Sequence, residues 1–270
     1  MAAHRIIFVS QEISPYITAT DNGKAGRELP QGMQQRKYEV RTFMPDYGDI
    51  NERRNQLHEV IRLSGMSIVI GDNDHPLVVK VASMHPSRIQ VYFIDNDDYF
   101  QKLDTDTDPF GSNRADNDER MIFYARGTVD TAKKLRWEPD FIHVSGWVSA
   151  LVPLYVKKLY TGSFSNSKVV YTLQPEEDIA PIDPAIFDKL VAEGVDEADL
   201  AKFRALPVDR RMLHRMGVEF SDGVAFRCVE PDPELVAICE ERGIPYITIG
   251  ADDDAAEALH NFNQSLKESK

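Results

Sequence analysis

No apolar run in this chain approaches the roughly 18 residues that span a membrane. The opening MAAHRIIFVS passes straight into a strand-like block, without the charged start, apolar core and cleavage site of a secretory leader. A cytoplasmic protein is the expectation. Cysteine is scarce: Cys228 and Cys239 are the only two. They fall on an expected strand and the helix after it, so buried, reduced thiols are expected rather than a disulfide. Positive charge is short as well, with 31 Lys and Arg against 44 Asp and Glu for a formal charge of -13. Such a surface repels nucleic acid and anionic lipid, which sets both aside as partners.

Chemical motifs are equally sparse. The seven histidines are scattered, no HxxxH or CxxC pair occurs, and no GxSxG, P-loop or complete GxGxxG follows a strand. Metal hydrolysis, serine hydrolysis and dinucleotide redox therefore have no positive sign, and no cofactor or metal is expected. The acidic pairs in DNDDYF (95–100) and DNDER (116–120) could offer a glycosidase dyad. Helix capping and solvation explain them more simply. The run Glu176, Glu177 and Asp178 reads as a solvated loop rather than a metal site.

What is present is core-forming: 42% apolar residues over 270 positions, enough for one large domain across 1–270 with no Pro/Gly/Ser linker to divide it. RIIFVS reads as a strand buried on both faces, GRELPQGMQQRKY as a helix and EVRTFMP as the next strand, which completes a βαβ unit. From Asn51 to Ile94 three strand-like runs, MSIVI, HPLVVKVASM and RIQVYFID, follow one another without a helix between them, a β-rich insertion at the sheet edge. DNDERMIFYARGTVDTAKKL begins acidic and ends basic, the order a helix dipole favours. WEPDFIHV, GWVSALVPLYVKKLY and SKVVYTLQ then read as strand, helix and strand, followed by helical patches between Pro184 and Met216. DGVAFRC, PDPELVAICEERG and PYITIG continue the alternation, and a helix near 251–269 closes it, with an apolar stripe of Ala255, Leu259, Phe262 and Leu266. The expected fold is α/β, a doubly wound and mostly parallel sheet.

The order of these fragments resembles the N-terminal, Rossmann-like half of bacterial glycogen synthases and plant starch synthases, which are GT-B glycosyltransferases. FVSQEISPY matches the family's FVSSEVAPF, LPQGM its LPKAL, EVRTFMPDYGDI its DVRVLLPKYG, and WEPDFIHVSGWVSALVPLYVK its WxPDIIHxHDWQTALIPLYLK. VYFIDNDDYF, DNDER and LHRMGVEFSDGVAF are shorter matches. The resemblance implies transfer of glucose from ADP-glucose to the end of an α-1,4-glucan. It covers the first of the family's two halves, so it also implies a partner polypeptide carrying the second half, or a homo-oligomer that covers the surface such a half would cover.

At the implied site the residues depart from the family. Where the family has KTGGLGDV after the first strand, Thr18 stands at the lysine, Ala19 at the threonine, and Thr20 and Asp21 at two glycines, while Lys24 is nearby as a compensating charge at the wrong spacing for direct substitution. Of the glycines only Gly23 remains. Tyr16, just before this loop, joins it as a cleft candidate. An acid 4 Å from a donor phosphate costs on the order of 4 kcal/mol at an effective dielectric near 20. On the second loop His143 and Trp147 match family residues, while Ser145 stands at a sugar-contacting histidine and Gly146 at an aspartate. By themselves His143 reads as a strand-end core histidine and Trp147 as a packing residue. On the third loop Gln174 and Pro175 replace His-Asn, and Gln174 keeps the capacity to bond a hydroxyl. No residue stands out as catalytic. The expectation is a catalytically degenerate domain that binds a carbohydrate, nucleotide sugar or protein partner; the alternative is an ADP-glucose-dependent transferase completed by a separate chain.

Overall fold

A strand whose residues are apolar on both faces must be covered on both, and β1 (Arg5–Ser10) is buried at every position after Arg5. The computed structural model describes residues 3–17, 20–104, 107–176, 178–251 and 253–268. After β1 come α1 (Asp21–Gln35), β2 (Glu39–Pro45), α2 (Glu52–Asn55), β3 (His58–Glu59), β4 (Met66–Ile70), β5 (Asn73–Met84), β6 (Ile89–Asp95), α3 (Asn117–Lys134) and β7 (Phe141–Ser145). The chain continues through α4 (Val152–Leu154), β8 (Lys168–Leu173), α5 (Ile186–Ala192), α6 (Glu197–Leu200), α7 (Arg210–Glu219), β9 (Gly223–Phe226), α8 (Pro233–Arg242), β10 (Tyr246–Thr248) and α9 (Ala255–Glu268).

The strands form a mostly parallel sheet in the order β10-β9-β8-β7-β1-β2-β6-β5-β3, with β4 added on β5. Strands β10 through β6 in that order run parallel. Antiparallel pairing begins only where β5 meets β6, and β3 and β4 pair antiparallel with β5. The β-rich insertion is thus an edge extension, and β6 is the strand that joins it to the parallel sheet. One ammonium pins it there: Lys80 Nζ reaches Asp46 at 2.8 Å, Glu52 at 2.8 Å and Asp95 at 2.6 Å.

Three local expectations are corrected. Helix α1 begins at Asp21, five residues before the GREL sequence, because Thr20 Oγ1 accepts the Gly23 N–H at 2.8 Å and caps it. The GWVSALVPLYVKKLY segment is not one helix: a 3₁₀ turn at Trp147–Ser149, α4 and a wide turn at Tyr155–Leu159 succeed one another. Pro153 lies in its middle and supplies no N–H to the ladder. Cys228 lies beyond β9 rather than on it, and both thiols are free.

Each face of the sheet has its own core. Ile6, Phe8, Phe141, Val170 and Ala225 point to the side covered by α1 and α9, where Leu29, Met33, Leu259, Phe262 and Leu266 meet them. Ile7, Val9, Val144 and Tyr171 face the other side with Met121, Trp147 and Leu213. Helix α9 starts where Asp254 Oδ1 takes the Glu257 N–H at 2.9 Å. Its buried stripe begins at Ala256, not Ala255. Ala256 sits against Gly32 so closely that a Cβ on that glycine would lie 2.4 Å from the alanine's own.

The α9 docking is testable. Phe262 is buried, with Gly223 beneath its ring, and Phe262→Ala is expected to lower unfolding stability by about 3–5 kcal/mol in a denaturant titration. A loss below about 1 kcal/mol would mean that α9 contributes little to the folded core.

Candidate functional site

Loops gather where parallel strands end, and in open α/β sheets that edge is where ligands bind. The loops after β1, β7 and β8 are tied together there. The Gln11 N–H donates to the Ser145 carbonyl at 3.2 Å, and Asn22 Nδ2 donates to the Pro175 carbonyl at 2.7 Å. Between them lies a cleft of about 730 Å³ whose walls include Gln11, Glu12, Tyr47, Phe110, Trp147 and Glu176. A second hollow, also about 730 Å³, shares Pro175 and Asp178 with it and is bordered by Gln174, Arg210, His214 and Cys228.

Acids dominate the first cleft. The buried Glu12 carboxylate accepts a hydrogen bond from Thr20 Oγ1, the same hydroxyl that caps Gly23. A negative group therefore already occupies the positive end of α1. The Glu176 side chain is 3% exposed, and neither of its oxygens has a well-formed hydrogen bond among the described residues. Burial pushes its pKa up to about 8, the Glu12 charge adds to this, and Arg210 and the Trp147 backbone N–H oppose it. His214 Nε2 lies 3.6 Å away. Burial and then Arg210 hold that imidazole down to about 3, and its Nδ1 bonds the Tyr171 hydroxyl at 2.9 Å. The contact is thus one between a neutral imidazole and a carboxyl, not an ion pair.

The expected solvated acidic loop is corrected by this geometry. Asp178 is exposed and pairs with Arg210 at 2.7 Å, Glu177 lies outside the described residues, and Glu176 turns inward. Its place in the loop after a central parallel strand was the one signal in the sequence that could have marked it.

The other candidates separate into groups. Tyr16 lies in the core, edge-on to Phe93 at 4.9 Å, and burial pushes its pKa up to about 12. Thr18 is outside the described residues. Asp21 and Lys24 sit in the first turn of α1, pair with each other at 3.2 Å and face solvent, Asp21 with its side chain 96% exposed. The acid buried at the start of the helix is therefore Glu12, not Asp21. Gly23 is buried under Thr20.

His143 faces the α9 side, where its Nε2 meets Asn263 Oδ1 at 3.0 Å and burial holds its pKa down to about 4. Ser145 ends β7 and borders a small hollow with His143, Gly26 and Gln174. Trp147 forms part of the cleft wall, with the Arg120 guanidinium 6.0 Å from its ring. Gln174 Oε1 accepts from Arg227 at 2.9 Å.

Gly146 has φ of 92°, and a Cβ there would lie 2.4 Å from Gln11 Cβ. Only glycine meets both demands. Among the described residues no group of three or more His, Cys, Asp or Glu side chains could hold a metal ion, and no helix is long and apolar enough to cross a membrane.

The Glu176 burial has a pH signature. Its folded pKa of about 8 exceeds the ordinary value of about 4.3, so its contribution to stability is complete below the unfolded pKa and is lost as pH rises through the folded one. Glu176→Gln is expected to raise Tm at pH 9 by several degrees and to change it little at pH 4. Equal shifts at both pH values would show that the carboxyl is not held in its neutral form.

Residues 5–174 match the family described as starch synthase catalytic domain. Glycogen synthase of Chlorobium limicola is 35% identical over 199 residues, 72% of this chain and 40% of that protein. Glycogen synthase of Chlorobium luteolum is 33% identical over 198 residues, with the same two shares of 72% and 40%. The chain thus spans about 40% of the length of these relatives. Among solved structures, the catalytic domain of Starch Synthase IV from Arabidopsis thaliana, bound to ADP and acarbose, superposes with a TM-score of 0.73 at 16% identity, covering 92% of this chain and 51% of that one.

Proposed function

Because the chain belongs to the starch synthase catalytic domain family, we propose that it is a glycosyltransferase-type domain whose sheet-edge cleft holds a neutral α-glucan in preference to the diphosphate of a nucleotide sugar. The observation that carries this reading is the Glu12 carboxylate at the start of α1, joined to it through Thr20. A helix N-terminus attracts an anion because its first N–H groups lack acceptors. Here one of them, that of Gly23, is satisfied and an acid stands behind the hydroxyl that satisfies it. A phosphate brought within 4 Å of that acid meets a repulsion on the order of 4 kcal/mol. Moving the acid aside instead strands a buried charge without its hydrogen bond.

A glucan meets neither obstacle. Its hydroxyls are neutral, and the cleft borders the Phe110 ring, which packs on the buried Tyr47, beside carboxyl and amide groups, the mixture of apolar wall and few polar contacts typical of small-ligand sites. Transfer from ADP-glucose, the activity implied for the whole length of the family's proteins, is on this reading not performed by these residues alone. The Arabidopsis domain was solved with ADP and acarbose, so both ligand classes belong in the test.

Isothermal titration at pH 6.5 with maltoheptaose, ADP and ADP-glucose separates the possibilities. Maltoheptaose is expected to bind at least roughly tenfold more tightly than ADP, a gap of about 1.4 kcal/mol. Glu12→Gln, which removes the charge and keeps the shape, is expected to narrow that gap by raising ADP affinity. Tight ADP binding by the unmutated chain, unchanged in the variant, would sink the reading.

A further inference from the structure

One wall of the cleft is the loop 107–113, and it carries the ring that is open to the space. Tyr47 and Trp147 are buried, whereas Phe110 is partly exposed beside the cleft, its ring meeting that of Tyr47 at 5.3 Å and 69°. Thr107 and Asn113 stand exposed on the same loop and border the same space. The negative face of an aromatic ring attracts the C–H groups that line one side of a pyranose. We infer that Phe110 is the platform on which a glucose unit of the α-glucan rests, and that the buried Arg120 is the residue that positions it. The inference rests on the neutral-glucan reading above and deepens it.

Single exposed apolar side chains are ordinary on a protein surface; the anchoring of its backbone sets this one apart. Arg120 is fully buried. Its guanidinium donates to the carbonyls of Phe110, Gly111 and Tyr99 at 2.8 Å each and to Asn117 Oδ1 at 2.6 Å. All four acceptors are neutral, and a buried guanidinium bonded by no carboxylate is costly to keep out of water. Gly111 takes φ of 67°, and a Cβ there would lie 2.5 Å from Arg120 Nη1, so a side chain at this position would close the approach to the carbonyls. Asp108 accepts the N–H groups of Ser112 and Asn113 at 2.7 Å each. The Ser112 carbonyl accepts the Ala180 N–H at 2.9 Å, which ties this wall to the loop after β8. Such bracing sets the ring in place before a ligand arrives, and a group already in place does not have to be ordered on binding.

The neighbourhood of the ring suits a sugar better than an anion. Thr107 offers a hydroxyl and Asn113 an amide, each able to donate to and accept from ring hydroxyls. An aromatic face for the apolar side of the ligand with a few polar groups at its rim is the usual division of labour in small-ligand sites. A diphosphate gains nothing here, because the negative face of the ring repels its oxygens.

Maltoheptaose titration of the full chain and its Phe110 variants tests the platform. Phe110→Leu, which keeps apolar bulk and loses the ring, and Phe110→Ala are each expected to weaken binding about tenfold. Phe110→Trp is expected to keep the affinity and to show a change of indole emission on adding maltoheptaose that exceeds that of the unmutated chain. Binding by Phe110→Leu as tight as by the unmutated chain overturns the inference and leaves the glucan reading standing; no maltoheptaose binding by the unmutated chain overturns both. Arg120 is tested through the ring it positions. Arg120→Lys is expected to weaken binding about tenfold when Phe110 is present and by less than about twofold in the Phe110→Ala background, because residues that act as one unit are not additive. An equal loss in both backgrounds overturns the positioning role. Where Arg120→Lys does not fold, Gly111→Ala disturbs the same contact from the loop side and is read by the same comparison.

Discussion

The hydrogen bond from Thr20 to the buried Glu12 carboxylate sets the character of the whole sheet edge. Thr20 could not cap Gly23 and also serve a ligand phosphate, because its O–H is donated to Glu12 and the Gly23 N–H is taken by its oxygen within the chain. Helix α1 therefore starts at Asp21, and the segment that the family pattern presents as a phosphate loop becomes the first turn of a helix. The same fixed start turns Asn22 to the Pro175 carbonyl. Through that bond the β8 loop is held against α1, and the next residue on it, Glu176, lines the cleft. An acid chosen at one strand end thus propagates, by two local hydrogen bonds, to the chemistry at another.

Much of the fold was legible from residue patterns. The parallel strands are short, apolar on both faces and separated by amphipathic helices, and the alternation predicted them in order. The edge insertion was legible for the opposite reason, since three strand-like runs with only turns between them cannot be connected in parallel. The failures have physical causes of a non-local kind. Nothing within GWVSALVPLYVKKLY except Pro153 signals that its helix is broken, and a proline in a first helical turn is compatible with an unbroken one. The site was less legible still. Asp21 looked like the acid that would meet a diphosphate, yet a helix start turns it outward.

Gly146 and Gln11 show why residue-by-residue comparison misleads at such an edge. The family pattern has an aspartate at the first position and a serine at the second. Here the side chain is lost at one and enlarged at the other, and a Cβ on Gly146 would fall 2.4 Å from that of Gln11. The two positions form one packing unit across the β1 and β7 loops, joined by the Gln11–Ser145 backbone bond. Restoring an aspartate at 146 alone would demand both an unfavourable φ and a volume that Gln11 already fills. The exchange is a coupled one, and either half taken alone reads as damage.

Two of the places where the molecule buries acids treat them differently. At the insertion, Asp46 and Asp95 share the Lys80 ammonium, and although burial and the Asp95 charge push Asp46 up to about 7, the lysine pulls against them. That cluster contains its own cation, its geometry is closed, and it serves to hold β5 against the ends of β2 and β6. At the sheet edge, Glu176 meets a neutral imidazole instead of an ammonium, and its carboxyl is sealed from the cleft that its loop borders. Removing a charge from water is tolerable when an opposite charge goes with it, or when the charge is given up. The insertion takes the first course and the cleft the second. A buried acid that keeps its proton avoids the desolvation of a charge, whereas one that gives it up needs a cation beside it, as Asp46 and Asp95 have in Lys80.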